Sequence, residues 1–227
     1  MSRLRELRRK VLAIEQLPTL AEAQELYHAL EYRYRTQVSR TFWEKWCHDR
    51  RVWHIPTIEF VDALVEVMRE LEGAPCVEIC AGKGKLSYHL HQRGIEIVAT
   101  DDFSWGSPHN SALVERLSHR ETLERYRPSI VLGSWIPMKT RIGFDVMDFP
   151  SVRYFIDIGE KVGHATWMTA EVYQRTDWER RTLPSVERYS FSASDDFLGN
   201  PTAGAFHTYS AVTLFTRISE TSPAKKV

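Results

Sequence analysis

The stretch from Cys76 to Leu90 constrains this chain more than any other. It opens as a short apolar strand, Cys76-Val77-Glu78-Ile79, and turns through Cys80-Ala81-Gly82-Lys83-Gly84. It then continues as a helix carrying Leu86 and Leu90 on one face. Strand, glycine turn and helix together set backbone N–H groups at a helix start beside the carboxyl end of a parallel sheet. Open α/β sheets bind nucleotides at that place. Gly82 and Gly84 suit such a turn, because a side chain at either would keep the backbone from a ligand or oppose positive φ.

A second strand, Ile95 to Thr100, ends at Asp101-Asp102. An acid at that tip lies about 20 residues past the glycines, the usual distance for one that accepts ribose hydroxyls. Two readings compete. A nicotinamide fingerprint needs G-x-G-x-x-G/A, and here the third place holds Ser87. A methyl-donor site needs an acid within the first strand and then a looser glycine pattern. Glu78-x-Cys80-x-Gly82-x-Gly84 matches that better.

Over Glu78–Gly84 and Ile97–Asp101 the chain resembles the first two motifs of the class I S-adenosylmethionine-dependent methyltransferases, with Cys80 where that family usually has its first glycine. The resemblance runs from about residue 57 to 217. It implies an α/β fold: a Rossmann-like methyltransferase sheet, mostly parallel with a C-terminal antiparallel hairpin, flanked by helices. Residues 1–54 match none of this and are expected to form an α-helical N-terminal extension or lid. Residues 55–218 would be the methyltransferase domain and 219–227 a tail.

The resemblance also implies S-adenosylmethionine as cofactor and assigns roles. Glu78 would orient the methionine end, while Gly82 and Gly84 let a turn that includes Cys80, Ala81 and Lys83 close on the donor, with Leu86 behind it. Asp101, or Asp102 as second choice, would hold the ribose, and Ser118 and His119 would flank the adenine. Phe103 reads equally as an adenine-stacking ring or as core. At the end of the central strand, Ser134 and Trp135 would face the transfer site, with Pro137 and Met138 walling a substrate pocket.

Composition removes several function classes. Lys plus Arg and Asp plus Glu are 30 each in 227 residues, so no bulk charge points to nucleic acid or an anionic membrane. No apolar run approaches the roughly 18 residues of a membrane span. The arginine-rich start could belong to a transit peptide, but Glu6, Glu15 and an ordinary helical continuation read better as a solvated amphipathic helix. Three cysteines make no disulfide framework and fit a reducing, cytoplasmic setting. Cys76 and Cys80, four residues apart on a strand, would sit ~13 Å apart, too far to share a metal or a disulfide. With no His-Glu-x-x-His, Cys-x-x-Cys or Gly-x-Ser-x-Gly pattern, no metal site and no serine-hydrolase chemistry are expected.

The remaining periodicities place the other elements. Residues 2–16 read as a helix, and Thr19 with Glu22 forms a capping box for a second. The aromatic segment 39–54 reads as core, or as a lid presenting Trp53 and His54. Ile58, Val61, Leu64, Val65 and Met68 mark a helix over 57–72, ended by Gly73 and Pro75. Further strands are expected at Leu113–Leu117, Ser129–Trp135, Val152–Ile158, around Val186–Phe191 and at His207–Arg217.

The expected activity is in-line methyl transfer to an acceptor. The segment after the central strand lacks the Asn-Pro-Pro-aromatic signature of base-amine methylating enzymes, so a small molecule or peptide/protein acceptor is favoured over nucleic acid. His54, His164 and His207 are candidate general bases because histidine titrates near neutrality, although each reads more readily as structural. Trp167, like Trp53, would line the acceptor pocket. A nicotinamide oxidoreductase and an inactive scaffold with the same fold are the alternatives. No oligomeric state can be read from the pattern.

Overall fold

A computed structural model of the chain describes residues 2–33, 42–105, 112–160, 169–195 and 210–218. The helices α1 (Arg3–Leu12), α2 (Leu20–Arg33) and α3 (Phe42–Arg50) come first, and α4 (Ile58–Arg69) leads into the sheet. Then follow β1 (Cys76–Ile79), α5 (Lys85–His91), β2 (Ile97–Asp101), β3 (Val114–Arg116), α6 (His119–Tyr126) and β4 (Ile130–Ser134). The rest comprises α7 (Ile142–Asp148), β5 (Tyr154–Glu160), β6 (Trp178–Thr182), the short α8 (Pro184–Glu187) and β7 (Ser210–Arg217).

The seven strands lie in the order β3-β2-β1-β4-β5-β7-β6. The first five run parallel to their neighbours, and β7 is antiparallel to both β5 and β6. Alternation along the central strands fills both faces. Ile130, Leu132, Ile156, Ile158, Val212 and Leu214 point to a core shared with Leu64, Val65 and Met68 of α4 and Leu86 and Leu90 of α5. Val131, Phe155 and Phe215 point the other way, to Leu123 of α6 and Val146 and Met147 of α7. Glu78 shares its face of β1 with Cys76, so its carboxylate is directed beneath α5.

The helix read over 57–72 has a defined start. Thr57 accepts a hydrogen bond from the Phe60 amide (3.1 Å) and donates its hydroxyl to the Tyr189 carbonyl (3.1 Å). The Thr19–Glu22 capping box is present in both directions, at 3.1 and 3.0 Å. The strand expected around Val186–Phe191 is corrected: that position holds α8, and the partner of β7 is β6 at Trp178–Thr182. Pro184 at the first turn of α8 presets helical φ. β6 escaped detection because it is an edge strand with only Trp178 buried, which leaves no alternation to read.

The N-terminal helices form a third core with a late segment of the chain. Leu7, Val11, Leu26, Leu30, Trp43 and Trp46 pack together with Phe191 and Ala193. Trp43 donates its indole N–H to the Ser192 carbonyl (3.0 Å), and backbone bonds join Ile55 to Phe191 (2.8 Å) and Ala193 to Trp53 (2.9 Å). Residues 51–55 are thereby fixed at the carboxyl edge of the sheet. Among the described residues no helix is long and apolar enough to cross a membrane.

Arg217 closes the opposite edge. Its guanidinium donates to the carbonyls of Met147 (2.6 Å), Phe149 (2.8 Å) and Val152 (2.8 Å) around the end of α7, and lies 4.5 Å over the Trp178 ring. Arg217→Met should lower unfolding free energy by about 1.5–3 kcal/mol, the range for charge-assisted hydrogen bonds. Arg217→Lys should recover only part, since lysine lacks the fork. Urea midpoints measure this, and an unchanged midpoint for Arg217→Met would refute the capping role.

Candidate functional site

β1 ends in a turn built from left-handed residues. Cys80, Gly82 and Gly84 have φ of 55°, 57° and 74°. Cys80 holds a conformation that costs an L-residue roughly 1–2 kcal/mol and a glycine nothing, so neighbouring bonds must hold it there. The Ala81 amide donates to the Thr100 carbonyl (3.0 Å), and the Gly82 amide donates to Asp101 Oδ2 (2.8 Å). Asp101 Oδ1 also accepts from the Phe103 amide (2.6 Å), so one carboxylate secures the turns after both β1 and β2. Burial pushes the Asp101 carboxyl up, and those two amides draw it back only in part.

The two glycines do different work. A Cβ at Gly84 would lie 2.6 Å from Cγ2 of Val114, so this glycine lets the start of α5 pack on β3. A Cβ at Gly82 would meet nothing within 4 Å. Gly82 is therefore set by its φ alone, and the space above its backbone is open.

Glu78 is buried behind this turn. Its Oε2 accepts from the Ser87 amide (3.1 Å) and from the Ser87 hydroxyl. Burial raises its carboxyl to about 7 against the pull of those bonds, so near neutrality the group stands between charged and neutral. A cation arriving beside it would settle the charged form.

Glu78 and residues 80–83 of the turn line a crevice at the carboxyl end of the sheet; Asp101 and Gly84 do not line it. Its floor is the 80–83 turn with Glu78 and Leu86, and one side is Ser134 and Trp135 from the end of β4. Arg51–His54 and Pro56 complete the rim. Trp135 takes φ 58° and donates its amide to the Ile158 carbonyl (2.7 Å). Its indole stacks on the His54 imidazole, with centroids 5.4 Å apart and planes within 10°. Phe60 meets His54 edge-on at 4.6 Å, and Ser190 Oγ lies 3.3 Å from His54 Nε2. His54 Nδ1 is buried with no hydrogen-bond partner among the described residues. Burial drives the imidazole down to about 3, so it is neutral at physiological pH and a weak base as it stands.

The other residues chosen from the sequence scatter. Cys80, Ala81, Lys83 and Trp53 line the crevice. Asp102 is exposed and accepts from the Ser104 amide (2.8 Å), and Phe103 is buried against Ala99 and Val114. Ser118 caps α6 in a capping box with Glu121, while His119 Nε2 is 2.9 Å from Asp145 Oδ2. The Pro137 carbonyl accepts from Thr140 (2.8 Å) and Met138 is exposed; neither these two nor Ser118 and His119 line the crevice. His164, Trp167 and His207 lie outside the described residues. Sequence reasoning missed Lys85 and Arg51, and it missed Val11, Leu12 and Ile14, which bring the end of α1 to the same crevice. Nothing in local spacing announces a wall whose contacts with α5 span 74 and 75 residues of sequence.

No protein-family model matches the chain, and no curated protein sequence does. Among solved structures, the 23S rRNA methyltransferase ErmE aligns over 73% of this chain and 70% of its own, at 16% identity and TM-score 0.42. The methyltransferase domain of bacterial CtHen1 aligns over 71% and 98%, at 12% identity and TM-score 0.40. A Thermoplasma acidophilum protein aligns over 69% and 82%, at 14% identity and TM-score 0.35. The strand order and the reversed β7, not these weak likenesses, carry the fold assignment. The chain has a Rossmann-like methyltransferase fold.

Two predictions concern this turn. Gly84→Ala should destabilise by about 2–4 kcal/mol, from left-handed strain plus the contact with Val114, whereas Gly82→Ala should cost about 1 kcal/mol. Equal losses in urea unfolding would contradict the division of labour. The second follows from Glu78. Its folded value of about 7 exceeds the ordinary 4.5, so between these values the folded state binds more protons than the unfolded. That contribution is full below the unfolded value and is lost as pH rises towards about 7. Glu78→Gln should flatten the fall in stability across this window, as read from Tm against pH; a slope identical to wild type would exclude it.

Proposed function

We propose that the chain is an S-adenosylmethionine-dependent methyltransferase whose donor lies in the crevice over Gly82, between Glu78 and Trp135. The observation that carries this reading is the pairing of a buried acid on β1 with a left-handed turn that has open space above it. Glu78 suits the donor's ammonium, and Gly82 admits a ligand against bare backbone. Asp101 retains acceptor capacity beyond its two amide bonds, which suits ribose hydroxyls.

Bound donor would supply a methyl group on a positively charged sulfur, already a strong electrophile. The tasks left to the chain are alignment and exclusion of water. Trp135 and His54, stacked as one apolar slab, would wall the side from which an acceptor approaches. Trp53 at the rim, with Trp105 at 6.5 Å and 65% exposed, extends that aromatic surface outward. A flat or apolar acceptor group suits it. A neutral His54 can accept a hydrogen bond from such an acceptor without first losing a proton. Small molecules, peptides and RNA all belong in the acceptor screen.

Calorimetric titration of the full chain with S-adenosylhomocysteine, and in parallel with NAD and NADP, tests the reading. Binding of the first and neither dinucleotide is expected; the reverse would make the protein an oxidoreductase-type binder. Asp101→Asn, which keeps an acceptor oxygen but removes the charge, should weaken S-adenosylhomocysteine by about 1–3 kcal/mol. Unchanged affinity would remove Asp101 from the ribose site.

A further inference from the structure

The end of α1 is held by an unusual cap. A helix leaves its last carbonyls without intrahelical partners. The Ala13 amide takes the Arg9 carbonyl (2.8 Å), and the ammonium of Lys85, at the first position of α5, takes those of Lys10 (2.7 Å) and Val11 (2.9 Å). One turn further along α5, His89 Nε2 meets the Ile14 carbonyl at 2.8 Å. Two side chains of α5 thus hold residues 10–14 down, and Val11, Leu12 and Ile14 become part of the crevice wall.

Capping alone does not account for Lys85. An ammonium carries three hydrogens, and only two have partners among the described residues. No carboxylate pairs with it there: Glu15 faces it from the turn after α1 beyond ion-pair distance, and Lys83 adds a like charge. Lys85 also lines the crevice, which Lys83, Arg51 and Glu78 share. Burial accordingly lowers its ammonium to about 7. A lysine desolvated in a crevice with no counter-ion leaves room for an anion to complete it.

We propose that Lys85 is an anion anchor: its ammonium, held from behind by the carbonyls that end α1, takes the carboxylate of an amino-acid-bearing nucleoside in the crevice. Docking of residues 2–14 and binding of that ligand are then linked. This rests on the donor-site reading above and adds to it a carboxylate partner and a role for the N-terminal segment. Glu78 and Lys85 would receive the two opposite charges of the amino-acid end. Because linkage is reciprocal, a carboxylate that favours charged Lys85 tightens the hold on α1, and loss of that hold weakens the ligand.

The test compares two ligands on the full chain by calorimetry. S-adenosylhomocysteine carries the amino-acid end, and 5′-methylthioadenosine has the same nucleoside and thioether without it. Lys85→Gln keeps a donor for the α1 carbonyls but no charge; Lys85→Met removes both. Both variants should weaken S-adenosylhomocysteine at least about tenfold and leave methylthioadenosine within about twofold of wild type. In wild type, S-adenosylhomocysteine but not methylthioadenosine should protect residues 2–14 from trypsin. Without ligand, Lys85→Gln should resist trypsin like wild type, which separates charge from capping. Equal weakening of both ligands would reduce Lys85 to a helix cap, and unchanged S-adenosylhomocysteine affinity in Lys85→Gln would also overturn the proposal. If wild type binds neither ligand, the donor site itself is wrong; if it binds both and Lys85→Gln binds them like wild type, only the anchor is.

Discussion

One carboxylate holds the working end of this sheet together. Asp101 receives the Gly82 amide from the turn after β1 and the Phe103 amide from its own turn. Adjacent parallel strands deliver their chain ends to the same edge, and without such a tie those ends would be free to splay. The tie also explains how Cys80 stays left-handed: the turn is bonded to β2 on both sides of Ala81, and the strain is absorbed by those bonds. The cost is a partly buried charge, visible in the upward push on Asp101. Two acids gather here, Glu78 buried behind the turn and Asp101 half-buried, and each accepts from amide donors rather than from a cationic side chain.

The crevice is completed by segments far apart in sequence. The end of α1 reaches α5 through Lys85 and His89, while residues 51–56 are fastened by Trp43 and by backbone bonds to 191–193. The aromatic core of α2 and α3 therefore does more than cover apolar surface. It sets the position of His54 against Trp135, and with it the side of the crevice that an acceptor would approach. Residues of the helical N-terminal region and of the sheet line one crevice.

Local chemistry in the sequence pointed to the right elements where a residue's partner lies nearby in the chain. The β1–turn–α5 unit, the acid closing β2, the Thr19 capping box and the α4 stripe were all legible, because each is a pattern of spacing within a turn or two. The edge strand β6 was not, because burial of Trp178 alone gives no period. Ser118 and His119 stand at the adenine only by the family resemblance; in the structure the hydroxyl of one caps α6 and the imidazole of the other pairs with Asp145. Nothing in the spacing around Lys85 singles it out. Only the arrival of α1, a long-range event, makes it a half-buried cation that caps carbonyls.

Everything in the functional account requires an amino-acid-bearing nucleoside to lie across the bare backbone of Gly82. A crystal structure of the full chain grown with S-adenosylhomocysteine tests this most directly. The account predicts density with the amino-acid end between Glu78 and Lys85 and the sulfur facing the Trp135–His54 slab. An empty crevice in a crystal that holds the ligand elsewhere, or the nucleoside lying with its amino-acid end directed away from Glu78, would contradict it.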